Sequence, residues 1–178
     1  MNMNTNNKIN SELFHTDIRN KNTERIFEQL FDTSIEELLS DYDEYDEIDE
    51  EPIEIEDKGI MIGFLPETVK EPAQIEYIDL DIRNNPNNME YLSVILPASF
   101  DTQIEKTLSS YDSLRIYYSL YDTEKPKIIV FHHANLRYEL LLTDEHTISR
   151  IRVCFSENES TANMRTYHSF SEECAILP

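Results

Sequence analysis

Residues 114–155 decide the fold, and they read LRIYYSLYDTEKPKIIVFHHANLRYELLLTDEHTISRIRVCF. Four runs rich in β-branched, aromatic and leucine side chains lie within this stretch, and a fifth follows at 164–170. Only two to eight residues connect one run to the next. Because parallel strands need longer crossover connections, the spacing predicts an antiparallel meander.

The run at 148–155 alternates between apolar and polar residues, as one strand of a half-buried sheet does. Its two faces hold Ile151, Val153 and Phe155 on one side and Arg150, Arg152 and Cys154 on the other. An antiparallel sheet commonly buries one face and solvates the other. We therefore expect the face that carries the arginines to be exposed to solvent.

Similar runs upstream predict further strands at 60–65, 75–82 and 91–96. One helix is predicted ahead of the meander, because Thr102 and Glu105 form a capping box before Ile104, Leu108 and Tyr111. The sequence thus predicts an α+β fold, in which residues 58–178 form an antiparallel β-rich domain with one helix.

The N-terminal third has a different composition. Residues 1–22 include seven asparagines and no clear apolar period, so they are predicted to be a disordered arm. Residues 23–40 carry apolar side chains at helical spacing, which predicts an amphipathic helix or two short helices broken near Asp32. This stripe includes Ile26, Phe27, Leu30 and Phe31.

Residues 41–57, DYDEYDEIDEEPIEIED, hold 11 carboxylates in 17 positions and no lysine or arginine. They dominate the charge distribution: residues 1–57 have 4 basic and 18 acidic side chains, a net charge of −14, of the −21 for the whole chain. We expect this acidic segment to be flexible and to bridge the helical region and the β-rich domain.

The composition excludes several classes of function. Two glycines in 178 residues are too few for phosphate-binding loops, dinucleotide-binding turns or serine-hydrolase elbows. The negative charge opposes direct nucleic-acid binding. The sequence has no run apolar enough for a bilayer, and residues 1–10 lack a signal-peptide core, so we expect a cytoplasmic protein. Cys154 and Cys174 are expected to be plain thiols.

Catalytic and metal sites are weakly indicated. His132 and His133 are adjacent in a predicted strand and therefore point to opposite faces. A calcium loop starting at Asp41 would need a glycine where Asp46 stands. A metal-dependent hydrolase could use Glu56 and Lys58 with Asp79 and Asp81, but Glu-x-Lys is common in acidic sequences. We predict no catalytic residue, no metal site and no cofactor.

The acidic segment is the strongest candidate for a binding site. In an extended strand of ~3.3 Å per residue its carboxylates would recur about every 5 Å, comparable with the ~6–7 Å between phosphates of a stretched nucleic-acid strand. Tyrosines and isoleucines between the carboxylates could supply apolar contacts. The predicted partner-binding residues are Asp41, Tyr42, Asp43, Glu44, Tyr45, Asp46, Glu47, Asp49, Glu50 and Glu51. Ile26, Phe27, Leu30 and Phe31 of the preceding helix are expected to anchor the contact.

These features favour a non-catalytic inhibitor that masks a basic, nucleic-acid-binding surface on a partner protein. Phage counter-defence inhibitors, which would act in the host cytoplasm, and immunity proteins against nuclease toxins are of this physical type. The alternative is a cytosolic adaptor in which the acidic segment is a passive linker and the β-sheet binds a peptide. A metal-dependent hydrolase is the third possibility.

Overall fold

The computed structural model describes residues 7–40, 52–96, 111–119, 126–156 and 174–176. The chain forms two compact units, Met1–Ile95 and Leu96–Pro178. The predicted domain boundary at residue 58 therefore lies inside the first unit. The α+β class with antiparallel strands is confirmed.

The first unit contains three antiparallel strands in the order β1 (Ile53–Ile55), β2 (Ile60–Leu65) and β3 (Gln74–Asp81). Ile55 lies opposite Ile60, which lies opposite Leu80. All three of these side chains are buried, so one face of the sheet forms an apolar interior. Strand β2 has the predicted bounds, and β3 is displaced by a single residue.

Two α-helices precede the strands in the described residues, α1 (Lys21–Phe31) and α2 (Ile35–Leu38). Asp32 ends α1 in the left-handed conformation, with φ of 54°. The Ser34 hydroxyl then accepts a hydrogen bond from the Glu37 amide at 2.9 Å and caps α2. The predicted break near Asp32 is confirmed. Neither helix, nor any other in the described residues, has the length and apolar character that a bilayer crossing requires.

The described part of the expected disordered arm, residues 7–22, is instead built into the first unit. Ile9, Leu13, Phe14 and Ile18 are each at most 2% exposed. Phe14 forms a parallel bridge with Ile75 of β3, and the Ile18 amide donates to the carbonyl of Ala73 at 3.0 Å. The prediction was wrong here because tertiary contacts with β3, rather than a local period, order this segment.

The described residues of the second unit form five neighbouring antiparallel strands of a sheet. These strands are β4 (Asp112–Ser119), β5 (Pro126–His133), β6 (Leu136–Leu142), β7 (Ile148–Phe155) and β8 (Cys174–Ile176). Their order is β7-β6-β5-β4-β8. Between β5 and β6 the chain turns through Ala134 and Asn135, both with positive φ, as in a two-residue type I′ hairpin. The meander from β4 to β7 is confirmed.

One predicted strand is wrong, and two strands were not predicted. Residues 91–96 form no strand; the 3-10 helix Pro86–Tyr91 runs into an irregular segment in which Leu92 and Val94 are buried. Apolar alternation here reflects burial without strand pairing. Strands β1 and β8 have only three residues each, too few to show a period. The predicted helix at 102–110 and the strand at 164–170 lie outside the described residues.

Gly63 of β2 lies beneath the ring of Tyr77 on β3. A Cβ atom at this position would stand 2.2 Å from Tyr77 Cε1. We expect Gly63→Ala to lower the free energy of unfolding by roughly 1–3 kcal/mol, because the ring must move out of a packed position. Urea denaturation measures this cost. In a Tyr77→Ala background the same substitution should cost less, and equal costs in both backgrounds would contradict the contact.

The burial of residues before 58 yields a second prediction. Phe31 is fully buried and its ring centroid lies 4.9 Å from that of Phe27 and 5.3 Å from that of Tyr91. Phe31→Ala should therefore lower the free energy of unfolding by roughly 3–5 kcal/mol. Glu28→Ala, an exposed position on the same helix, is the matched control and should change it by less than about 0.5 kcal/mol. If Phe31→Ala unfolded at the wild-type urea concentration, α1 would not belong to the core.

Candidate functional site

The acidic segment begins and ends on the same unit. Residues 41–51 lie outside the described residues, so the structure does not place the ten predicted partner-binding residues. The residues on either side are described. Leu39 before residues 41–51 is 5% exposed and Ile55 after them is 6% exposed. Both ends are thus fixed by buried apolar side chains of the first unit, and the segment does not link two independent units.

Exposed carboxylates lie on both sides of residues 41–51. They are Asp32, Glu36 and Glu37 before it and Glu54, Glu56 and Asp57 after it. Residues 32–57 together hold 14 carboxylates and no lysine or arginine. We call this stretch the acidic surface segment. Its charges repel one another, so they favour an opposite charge on a partner.

The first cation after the acidic surface segment is Lys58. Its ammonium group donates a hydrogen bond to the carbonyl of Phe31 at the C-terminal end of α1. A positive charge is favourable there because the last carbonyls of a helix carry partial negative charge. Lys58 therefore has a structural contact of its own.

The predicted helix anchors are wrong as partner contacts. Ile26 and Leu30 are 6% exposed, and Phe27 and Phe31 are fully buried. The apolar stripe of α1 faces the interior of its own unit, as it does for most amphipathic helices of globular proteins.

Tyr91 is a further aromatic candidate near the acidic surface segment. The sequence patterns did not indicate this residue. Partial burial raises the pKa of its phenol, and the carboxylates of Asp57 and Glu90 raise it further. The half-buried ring of Tyr91 lies 5.3 Å from that of Phe31, which directly precedes Asp32 at the start of the acidic surface segment. No sequence pattern relates residues 31 and 91, because their rings meet only through the tertiary fold. An aromatic side chain beside a charged rim is a common binding anchor.

The second unit has a charged sheet face, and this face is not solvated as expected. Arg137 and Glu139 of β6 and Arg152 of β7 are 3%, 4% and 6% exposed. Arg137 Nη2 lies 2.9 Å from Glu139 Oε1, and Arg152 lies directly opposite Glu139. The predicted alternation is correct, but alternation alone does not determine whether a face is covered. These charges are paired inside the protein.

One serine and histidine pair on this sheet resembles part of a catalytic dyad. Ser156 Oγ lies 2.8 Å from His132 Nδ1. The Ser156 amide, however, donates to the carbonyl of Asn135 at 2.9 Å and is not available to stabilise an oxyanion. A nucleophile–base pair also needs donors placed at the developing negative charge. Nothing in the described geometry positively indicates catalysis.

The residues considered for a metal-dependent hydrolase have other contacts. Asp81 accepts hydrogen bonds from the amide and the side chain of Asn84, at 3.0 and 2.7 Å. Lys58 contacts α1 and Asp79 is only 2% exposed. Among the described residues, no three His, Cys, Asp or Glu side chains are grouped so that they could hold a metal ion.

Removal of one member of the buried ion pair is expected to be strongly destabilising. Glu139→Gln removes the carboxylate beside Arg137 and should lower the free energy of unfolding by about 3–5 kcal/mol, because the guanidinium stays buried with its charge uncompensated. The control is Glu145→Gln, the same chemical change at an exposed residue, with an expected effect below about 0.5 kcal/mol. Equal unfolding curves in urea for the two variants would contradict the pairing.

Comparisons with known proteins leave the site to be interpreted from its own residues. No protein-family model matches the chain, and no match is found among curated proteins or solved structures.

Proposed function

We propose that this protein is a non-catalytic inhibitor that uses the acidic surface segment to mask a basic, nucleic-acid-binding surface of a partner protein. Under this proposal it would be of the same physical type as phage counter-defence proteins and immunity proteins against nuclease toxins. It would act in the cytoplasm, and it would not bind nucleic acid, membranes or a cofactor itself.

The observation that carries the proposal is the attachment of the acidic surface segment to one unit at both ends. Leu39 and Ile55 are buried on either side of residues 41–51. A chain fixed at two points loses less conformational entropy on binding than a free tail does. Fourteen carboxylates without an intervening cation can then steer and orient a basic partner.

The adaptor alternative receives less support from the same observation. A passive linker separates two independently folded parts. Here α2 and β1, on the two sides of the segment, both belong to the unit Met1–Ile95. Charged residues whose only role was to keep two domains apart would be expected between the domains and not within one unit.

The test measures association with basic partners. A panel of purified nucleases and other basic nucleic-acid-binding proteins is immobilised, and binding is followed in real time at several salt concentrations with DNA or RNA as competitor. We expect at least one panel member to bind, to be released by its nucleic acid, and to associate more slowly as salt rises. Asp43→Asn, Glu44→Gln, Asp46→Asn and Glu47→Gln together should slow association about tenfold at low salt.

A matched variant controls for total charge. Glu12, Glu28, Glu71 and Glu145 are exposed and lie outside residues 32–57. Their replacement by glutamine removes the same four charges, yet should leave association close to wild type. If both variants slowed equally, only net charge would matter. If the first variant bound at an unchanged rate at every salt concentration, the acidic surface segment would not be the binding site.

The tyrosines of the segment, Tyr42 and Tyr45, should affect the dissociation rate of the complex. Rim charges chiefly set how fast a complex forms, whereas buried aromatic side chains set how slowly it dissociates. Tyr42→Ala with Tyr45→Ala should therefore speed dissociation and leave the salt dependence of association in place. An unchanged dissociation rate would mean that the aromatic anchor lies elsewhere, with Tyr91 the next residue to replace.

A further inference from the structure

We propose that β1 is a docking edge, to which an extended basic segment of the partner adds as a further strand. This inference rests on the proposed function and specifies how the partner is held. Strand β1 ends the strand order of the first unit. Within the described residues it pairs with β2 on one side and with no strand on the other.

The backbone of an edge strand supplies the binding groups. Along such a strand, alternate amide and carbonyl groups point away from the sheet and can pair with an added chain. Glu54 in the middle of β1 is exposed, and Ile53 is only partly buried. Pro52 has no amide hydrogen and directly precedes the strand, so it limits the edge on its N-terminal side.

Charge selects the occupant of this edge. Glu54, Glu56 and Asp57 are exposed along and just beyond β1, and like charges directly opposite one another destabilise strand pairing. A second copy of this chain would bring the same carboxylates and a net charge of −21 to the interface. The charges that oppose self-pairing favour a strand with lysine or arginine at alternate positions, which recur about every 6–7 Å on one face.

The experiment uses the full-length chain and two defined peptides. The first is an eight-residue peptide of alternating arginine and valine. The second has the same sequence with its central four amides N-methylated, which keeps the charge and removes backbone donors. Binding at low salt is measured by calorimetry, and hydrogen exchange is followed at the amides of 53–55. We expect the first peptide to protect those amides of 53–55 that point away from β2, and the second to bind at least about tenfold more weakly.

A charge variant tests the choice of occupant. Glu54→Gln, Glu56→Gln and Asp57→Asn together should weaken the first peptide, while Glu12→Gln, Glu71→Gln and Glu145→Gln should not. Equal affinity of the two peptides would overturn strand addition but leave charge masking intact. Failure of the first peptide to protect 53–55 would overturn it as well.

Two further outcomes separate this inference from the proposed function. If 53–55 were already protected in the chain alone in a concentration-dependent way, with a dimer in sedimentation, a second copy would occupy the edge and the inference would be overturned. If no basic protein of the panel bound, the proposed function itself would fail, whatever the peptides did. A partner that bound and slowed exchange at 53–55 would support both.

Discussion

The first unit has to hold together a stretch of chain whose charges repel one another. Fourteen carboxylates between residues 32 and 57 have no lysine or arginine among them, and such self-repulsion opposes a compact state. Burial of Leu39 and Ile55 opposes this repulsion, since each buried apolar side chain of this size contributes roughly 1.5–3 kcal/mol. The break at Asp32, the short helix α2 and the pairing of β1 with β2 all serve to bring these two anchors into the interior.

The second unit deals with charge in the opposite way. Its sheet buries Arg137 and Glu139 as an ion pair on one strand, with Arg152 opposite on the next. Such a pair contributes little to stability relative to apolar residues of the same size, but removing one member is costly. In the described residues, this ion pair is thus buried, whereas the carboxylates on either side of residues 41–51 are exposed. Exposed, uncompensated charge is available for recognition, which is why the candidate site lies on the first unit.

Local patterns predicted those parts of the fold whose order is local. Strands β2, β6 and β7 have the predicted bounds because each shows a clear apolar period and has turn residues at its ends. The helix break follows from Ser34, whose side chain caps α2. Local patterns failed where order comes from distant residues: Phe14 forms a bridge with Ile75, and Leu92 and Val94 are buried without strand pairing.

The candidate site was only partly predictable for the same reason. Charge counting located the acidic run, since charge is a property of composition. It could not show that Ile26 and Phe27 are buried in the core and do not contact a partner. An apolar stripe has the same sequence pattern whether it packs against its own domain or against another protein. Nor could it relate Phe31 to Tyr91, or show that β1 ends the strand order among the described residues of the first unit.

These three features act on different steps of recognition. Carboxylates act at long range, over about 10 Å at ordinary ionic strength, and cannot distinguish one basic surface from another. Backbone pairing and aromatic contacts act only at contact distance and depend on shape. A protein that relied on charge alone would bind every cationic surface in the cell weakly. Under the proposed function, specific masking therefore requires a short-range site in addition to the steering charges, and we propose that β1 and Tyr91 form that site.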